Sequence, residues 1–244
     1  MRSILALLVA VLYLIITMPV LLALWIVGRF NPKARDNCCL HMVQWVFRVI
    51  AGVSGTKVTV LGKEHIPQDQ AVLYILNHRS IFDIVLTYAR CPDRTGYIAK
   101  KELVKIPLLN LWMKWMYCLF LDRTDIREGL KTILTAIDYV KSGISIAIFP
   151  EGTRGRSADE TELLPFHEGS FKIATKTGCP IIPVCISHSS AIFEDHFPWV
   201  RATHVVLEYG APIYPDELAK EDKKFIGKYV QNIMQETLRK NKNL

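Results

Sequence analysis

Between Ile4 and Val27 the chain carries no charged residue, and most positions are Leu, Ile or Val. At about 1.5 Å per residue the run is long enough to cross a hydrocarbon core ~30 Å thick, so it predicts a membrane segment. A cleaved signal peptide is the rival reading, but the run exceeds the usual apolar region of such a leader and no A-x-A-like site follows it. Pro19 lies inside the run and predicts a kink, which sets a bent, half-embedded helix pair beside a straight span. Only Arg2 precedes the run whereas Arg29, Lys33 and Arg35 follow it, a bias that leaves the rest of the chain on the cytoplasmic side of the inner (cell) membrane.

A second segment, Cys38 to Val53, places Leu40, Val43, Val46, Phe47 and Ile50 on one stripe, with His41, Gln44 and Arg48 opposite and Trp45 available at an interface. The segment reads as an amphipathic helix lying on the membrane, although periodicity alone fits a helix packed on a protein core as well. Residues 1–54 are therefore expected to be membrane-embedded or amphipathic helices, and residues 55–244 a separate folded domain. Thirty Lys and Arg against 23 Asp and Glu give a net charge of +7, a balance suited to anionic membrane lipid or to phosphate. Nucleic acid is not an expected partner: no helix-turn-helix, zinc finger or ribonucleoprotein pattern occurs, and half of the residues are hydrophobic. The six cysteines show neither C-x-x-C spacing nor a disulfide framework and read as buried thiols. Cys179, Cys185 and His188 are too few and too strand-like to predict a zinc site, so no metal is expected.

After Gly55 short apolar runs alternate with helical patterns. Strands are predicted near Lys57 to Leu61, Ala71 to Leu76, Gly96 to Ala99, Cys118 to Leu121, Ile144 to Phe149, Ile181 to Ile186 and His204 to Tyr209. Ile126, Leu130, Ile133, Leu134, Ile137 and Val140 keep helical spacing up to a capping Lys141-Ser142-Gly143, and Phe225 to Leu238 marks a closing amphipathic helix. The rhythm is that of an α/β domain with a mixed, mainly parallel sheet flanked by helices.

Two segments carry chemistry. The apolar run Ala71 to Leu76 leads straight into Asn77-His78-Arg79-Ser80-Ile81-Phe82-Asp83, which delivers a histidine to the end of a sheet strand, where α/β folds place ligands. Ser80 and Asp83 fit a capping box, and His78 in the preceding loop can fold back onto the Asp83 carboxylate, leaving its other nitrogen free as a base. A helix cap explains Asp83 equally well without catalysis. Downstream, the strand ending at Ile148 runs into Phe149-Pro150-Glu151-Gly152-Thr153-Arg154. There Pro150 stops the ladder, Gly152 permits close backbone approach, and Arg154 offers a fork for phosphate; Glu151 can take a hydroxyl or hold the arginine. A solvated charged loop is the plainer alternative.

Asn77 to Asp83 resembles the H-x-x-x-x-D motif of the glycerolipid acyltransferases, and Phe149 to Arg154 resembles their F-P-E-G-T-R motif. Leu119-Phe120-Leu121-Asp122-Arg123, Cys179-Pro180-Ile181-Ile182-Pro183-Val184 and Lys100-Lys101-Glu102-Leu103 are similar to further blocks of that family, in the same order along residues 70–190. The similarity is greatest to its 1-acyl-sn-glycerol-3-phosphate acyltransferase branch, in which an N-terminal membrane helix pair also occurs. The resemblance implies a glycerol-3-phosphate acyltransferase-like fold, with His78 as general base and Asp83 as its partner. It also implies that Arg123, Glu151, Gly152, Thr153 and Arg154 bind a glycerol phosphate such as lysophosphatidic acid. The acyl donor would be acyl-CoA or acyl carrier protein, and Lys100, Lys101 or a backbone N–H would stabilise the oxyanion. No cofactor is implied, because such a donor arrives already activated.

One departure stands out. After Leu164-Pro165-Phe166 the family usually has a lysine before the glycine, and here His167-Glu168-Gly169 intervenes. The acidic loop Ser157 to Glu162 precedes it, with Lys172 and Lys176 the nearest cations in sequence. The run Leu108 to Phe120 reads either as an acyl-chain groove or as plain core. Glycerol 3-phosphate or a lysophospholipid with a head group would serve as acceptor in the same site, and a non-catalytic protein that binds anionic lipid is the rival of another class.

Overall fold

The computed structural model describes the chain except Arg123 and, in a helix, the side chain of Ile126. The uncharged run is not one helix. It forms α1 (Arg2–Ile16) and α2 (Met18–Phe30), bent by 49° at Thr17. Pro19 sits in the first turn of α2, where its missing N–H costs nothing, and the Thr17 hydroxyl donates back to the Tyr13 carbonyl at 2.6 Å. Among the described residues no single helix is long and apolar enough to cross a membrane, although the bent pair matches that length and composition. Ile4, Leu7, Leu8, Val11, Ile15, Leu22, Trp25 and Ile26 all lie exposed along it.

Helix α3 (Pro32–Ser54) opens on the Asn31 side chain, which accepts from the Ala34 N–H, and closes on Gly55 in the left-handed region (φ 76°). Of its predicted stripe Leu40, Val43, Val46 and Ile50 are buried, and α3 packs on α1, α2 and two helices of the domain. The stripe therefore packs on protein, which corrects the expectation of a helix lying on the membrane by this face. Even Gln44, assigned to the polar face, is buried and donates to the Cys91 carbonyl at 2.7 Å, while Trp45 remains exposed.

All seven predicted strands occur: β1 (Lys57–Leu61), β2 (Leu73–Leu76), β3 (Thr95–Lys100), β4 (Leu119–Leu121), β5 (Ser145–Ile148), β6 (Ile181–Ser187) and β7 (His204–Tyr209). They form one sheet in the order β1-β7-β6-β2-β5-β3-β4, in which only the β6–β7 pairing is antiparallel. Helices α4 (Phe82–Tyr88), α5 (Leu109–Trp115), α6 (Ile126–Lys141) and α7 (Lys172–Thr177) follow β2, β3, β4 and β5, and α8 (Lys220–Lys224) and α9 (Ile226–Asn241) close the chain.

Alternation along β2 sends Tyr74 and Leu76 into a core shared with α1 to α5, and Leu73 and Ile75 into a second core beneath α6, α7 and α9. Covered on both faces, all four residues of the strand are buried, as an interior parallel strand requires. In α6, Ala136, Ile137 and Val140 face this second core, but Leu130 and Leu134 of the predicted stripe are exposed. Trp112, Met113 and Met116 are buried, with the Trp112 ring 5.5 Å from that of Tyr13. The Leu108 to Phe120 run is thus mainly core. A space beside Trp115, Met116 and Tyr117 measures about 10 Å³, too small for an acyl chain.

Candidate active site

Strand β2 lies between β5 and β6, both parallel to it, so the loops leaving the three strands emerge side by side at the same edge. This adjacency joins segments remote in sequence. Ile75 pairs with Ile148, and one turn beyond the ladder the His78 N–H donates to Glu151 Oε1 at 2.8 Å, across 73 positions. On the other side the Asn77 amide completes the ladder with β6: its Oδ1 accepts from the Ile186 N–H at 2.8 Å, and its Nδ2 donates to the Ile186 carbonyl at 2.9 Å. A buried side chain thus replaces the backbone pairing, and the chain is free to turn at His78.

The His78 Nδ1 lies 2.9 Å from Asp83 Oδ2. The same oxygen accepts from the backbone N–H groups of Arg79 at 2.7 Å and Ser80 at 2.8 Å, and Asp83 is fully buried. An oxygen that receives two N–H donors is an acceptor, so the ring proton sits on Nδ1 and Nε2 is left with its lone pair. The predicted capping box forms only in part: Asp83 holds the Ser80 N–H, but Ser80 Oγ accepts from the Phe82 N–H at 3.0 Å instead of the Asp83 N–H, and α4 starts one residue later, after Ile81. One carboxylate serves both roles. The imidazole also stacks on Phe149, the last residue before the turn out of β5, with ring centroids 4.1 Å apart. Held on an edge by Asp83 and on a face by Phe149, the ring is 17% exposed.

Glu151 has partners other than those expected. Its Oε1 takes the His78 N–H and its Oε2 takes the Leu164 N–H at 2.9 Å, so it clamps two loops; neither a hydroxyl nor Arg154 is held. Burial raises the pKa of this carboxyl, and the two backbone donors partly offset that effect. Gly152 stands at φ 71°, and a Cβ there would come 3.1 Å from the His167 ring, so both the backbone angle and the space require glycine. His167 and Glu168, which replace the family's lysine, are used structurally. The His167 N–H bonds the Pro150 carbonyl, and the Glu168 carboxylate accepts from the Gly227 N–H in α9.

Thr153 and Arg154 are exposed at the rim. Arg154 Nη1 pairs with Glu194 Oε1 at 2.7 Å, and the next residue, Gly155, donates its N–H to the His78 carbonyl at 2.8 Å. Arg154 therefore stands at the same sheet edge as His78. It lines a cleft of about 1040 Å³ together with Arg79, Ile81, Arg156, His188 and Glu194, while the His78 ring itself is not part of that lining.

Lys100 and Lys101, at the end of β3 and beyond it, are exposed and sit on Glu102 (3.4 Å) and Asp122 (2.7 Å); neither lines the cleft. Arg123 lies outside the described residues. The acidic loop after Arg156 is balanced by side chains other than Lys172 and Lys176. Lys242 approaches Asp159 at 3.4 Å, His188 approaches Glu160 at 3.0 Å, and Arg79 donates to the Ser157 carbonyl. The cysteines play no part. Burial pushes the Cys91 thiol up to about 11 and Cys118 up to about 12, and Cys185 turns toward α9 while His188 is engaged by Glu160.

Sequence reasoning missed Asn77 as the brace of the turn, Phe149 as the floor under the ring, and Glu194. The first two lie inside the quoted motifs and take their roles only from strand adjacency. Glu194 belongs to a short 3₁₀ turn, Glu194–His196, with no sequence pattern to single it out.

Known proteins agree with this architecture. A crystal structure of the 1-acyl-sn-glycerophosphate (LPA) acyltransferase PlsC from Thermotoga maritima superposes with a TM-score of 0.76 at 26% identity, covering 98% of this chain and 97% of that one. The 1-acyl-sn-glycerol-3-phosphate acyltransferase of Saccharomyces cerevisiae is 28% identical across 91% of this chain and 75% of its own length. The protein of the same name from Borreliella burgdorferi is 34% identical across 62% of this chain and 60% of its own length. The Acyltransferase family model matches residues 57–187, from the first strand of the sheet to the end of β6 and through both segments that build the site. With more than half of its length matched and the dyad in place, the chain belongs to the Acyltransferase family.

Proposed function

We propose that the protein transfers a fatty acyl group from an acyl thioester, acyl-CoA or acyl carrier protein, to the sn-2 hydroxyl of 1-acyl-sn-glycerol 3-phosphate, forming phosphatidic acid. The observation that carries the reading is the Asp83-held imidazole one loop away from Arg154 at a shared sheet edge. The relatives named for that acceptor add to it. Nε2 of His78 takes the hydroxyl proton as the oxygen attacks the thioester carbonyl. The tetrahedral oxyanion collapses with release of the thiolate, which recovers the proton from the imidazolium. The products are the ester and a free thiol, and His78 returns to its starting state. Arg154 holds the acceptor phosphate, and Gly152 and Glu151 act on the acceptor by fixing the loop that carries Arg154. The family resemblance assigns Arg123 to the acceptor phosphate and Lys100 or Lys101 to the oxyanion, although neither lysine lines the cleft that Arg154 shares.

The reading places α1 and α2 in the lipid as a bent pair, with the catalytic domain on the cytoplasmic face of the inner (cell) membrane. The exposed apolar residues of that pair and the cations that follow it support this. Purified protein offered lysophosphatidic acid, glycerol 3-phosphate and a lysophospholipid with a head group, each with one labelled acyl thioester, tests the acceptor. Lysophosphatidic acid is expected to give the highest kcat/KM, and Arg154→Gln to raise its KM. Preference for either other acceptor would overturn the assignment.

A further inference from the structure

The guanidinium assigned to the acceptor phosphate is already occupied. Glu194 Oε1 sits 2.7 Å from Arg154 Nη1 and also accepts from the Ile81 N–H at 2.9 Å. A guanidinium and a backbone N–H converging on one oxygen form a donor set suited to a phosphate oxygen. The fit of the carboxylate is incomplete, because Glu194 Oε2 is buried with no hydrogen-bond partner among the described residues. Beside it in the same cleft, Arg79 is only 7% exposed, and its Nε and Nη1 likewise bond to nothing among the described residues. Among the described residues, the lining of this one cleft thus includes residues with an unpaired acceptor and two unpaired cationic donors. A tetrahedral phosphate offers more oxygens to the same donors. The cleft, at about 1040 Å³, has room for the exchange.

From this we infer that Glu194 is an internal stand-in for the acceptor's phosphate: it keeps Arg154 and the Ile81 N–H engaged in the empty site and is displaced when a phosphate-bearing acceptor binds. The inference rests on the assignment of Arg154 to the acceptor phosphate. It makes Glu194 a specificity-determining residue, since only an acceptor able to displace a carboxylate gains the site. A phosphate monoester, with about 1.5 to 2 negative charges at neutral pH, can do so, and a phosphate-free monoacylglycerol cannot.

The test is Glu194→Gln, whose amide oxygen still accepts the Ile81 N–H but no longer carries charge. Inorganic phosphate is the probe, read by ³¹P line broadening without turnover and by competitive inhibition of acyl transfer. The variant is expected to bind inorganic phosphate about tenfold tighter, the size of one lost charge-assisted competitor, and to lower the KM for lysophosphatidic acid. The gain should be confined to the phosphate-bearing acceptor, with the KM for the acyl thioester shifting less than that for lysophosphatidic acid. Glu194→Ala should move phosphate binding the same way, which guards against an effect peculiar to the amide. Unchanged or weaker phosphate binding in both variants would overturn the inference, as would a shift confined to the KM of the donor. Failure of the unsubstituted protein to acylate lysophosphatidic acid would instead strike the acceptor assignment, and the ³¹P arm would still report on Glu194.

Discussion

Two histidine–carboxylate pairs stand at neighbouring strand ends, His78–Asp83 after β2 and His188–Glu160 after β6, with ring nitrogen to carboxylate distances of 2.9 and 3.0 Å. By distance alone they are equivalent. Their surroundings differ. Asp83 is fully buried, its Oδ2 fixed by two further backbone donors, and the His78 ring is stacked on Phe149. Glu160 comes from an irregular loop, spends its second oxygen on the His188 N–H, and leaves a ring that is 29% exposed on a residue at φ 67°. One arrangement orients an imidazole by rigid elements on both sides; the other uses an imidazole to tether a loop. A base is therefore identified by what immobilises its partner, more than by the pair itself.

The comparison breaks first at the histidines. His78→Ala should lower acyl transfer by about 10² to 10⁴, the range of a positioned base, with lipid binding retained, whereas His188→Ala should stay within about threefold, as for exposed contacts. Equal losses in labelled-acyl turnover would put the chemistry at the wrong strand end. Turnover surviving in His78→Ala would remove the assignment of His78 as the base.

The carboxylates sharpen it. Asp83→Asn can keep one acceptor oxygen for the Arg79 and Ser80 N–H groups but loses the carboxylate charge that holds the ring and stabilises the imidazolium; kcat should fall by about 10² or more with a small change in Tm. Glu160→Gln should instead leave kcat nearly unchanged and lower stability by ~1 kcal/mol or less, read by thermal melting. The smallest effect isolates the cap from the orienter. Ser80→Ala removes the acceptor of the Phe82 N–H and should cost ~1 kcal/mol of stability while turnover holds within about twofold. A large loss of turnover there would mean that the capping box, and not Asp83 alone, sets the ring.

Much of this was legible before any coordinates. The seven strands declared themselves as apolar runs between turn signals, and Gly143 marked where α6 ends, whereas α4 begins one residue later than the capping signal at Ser80 indicated. Leu130 and Leu134 show the limit of periodicity. They share the helical spacing of Ile137 and Val140, yet the element they would face is absent from that side of α6. The α3 stripe shows the same ambiguity from the other side, since a lipid surface and a protein core demand one and the same pattern.

By itself, then, the sequence determined the α/β class, the strand ends that carry His78 and Arg154, and the pairing of His78 with Asp83, because these depend on local spacing and on residues only a few positions apart. Tertiary structure alone decided that Glu151 clamps the His78 backbone, that Lys100 and Lys101 answer to Glu102 and Asp122, and that Glu194 meets Arg154. Each of those depends on which strands lie side by side and on where an irregular loop comes to rest. Such facts follow from the summed packing of the whole chain, and no short window of residues encodes them.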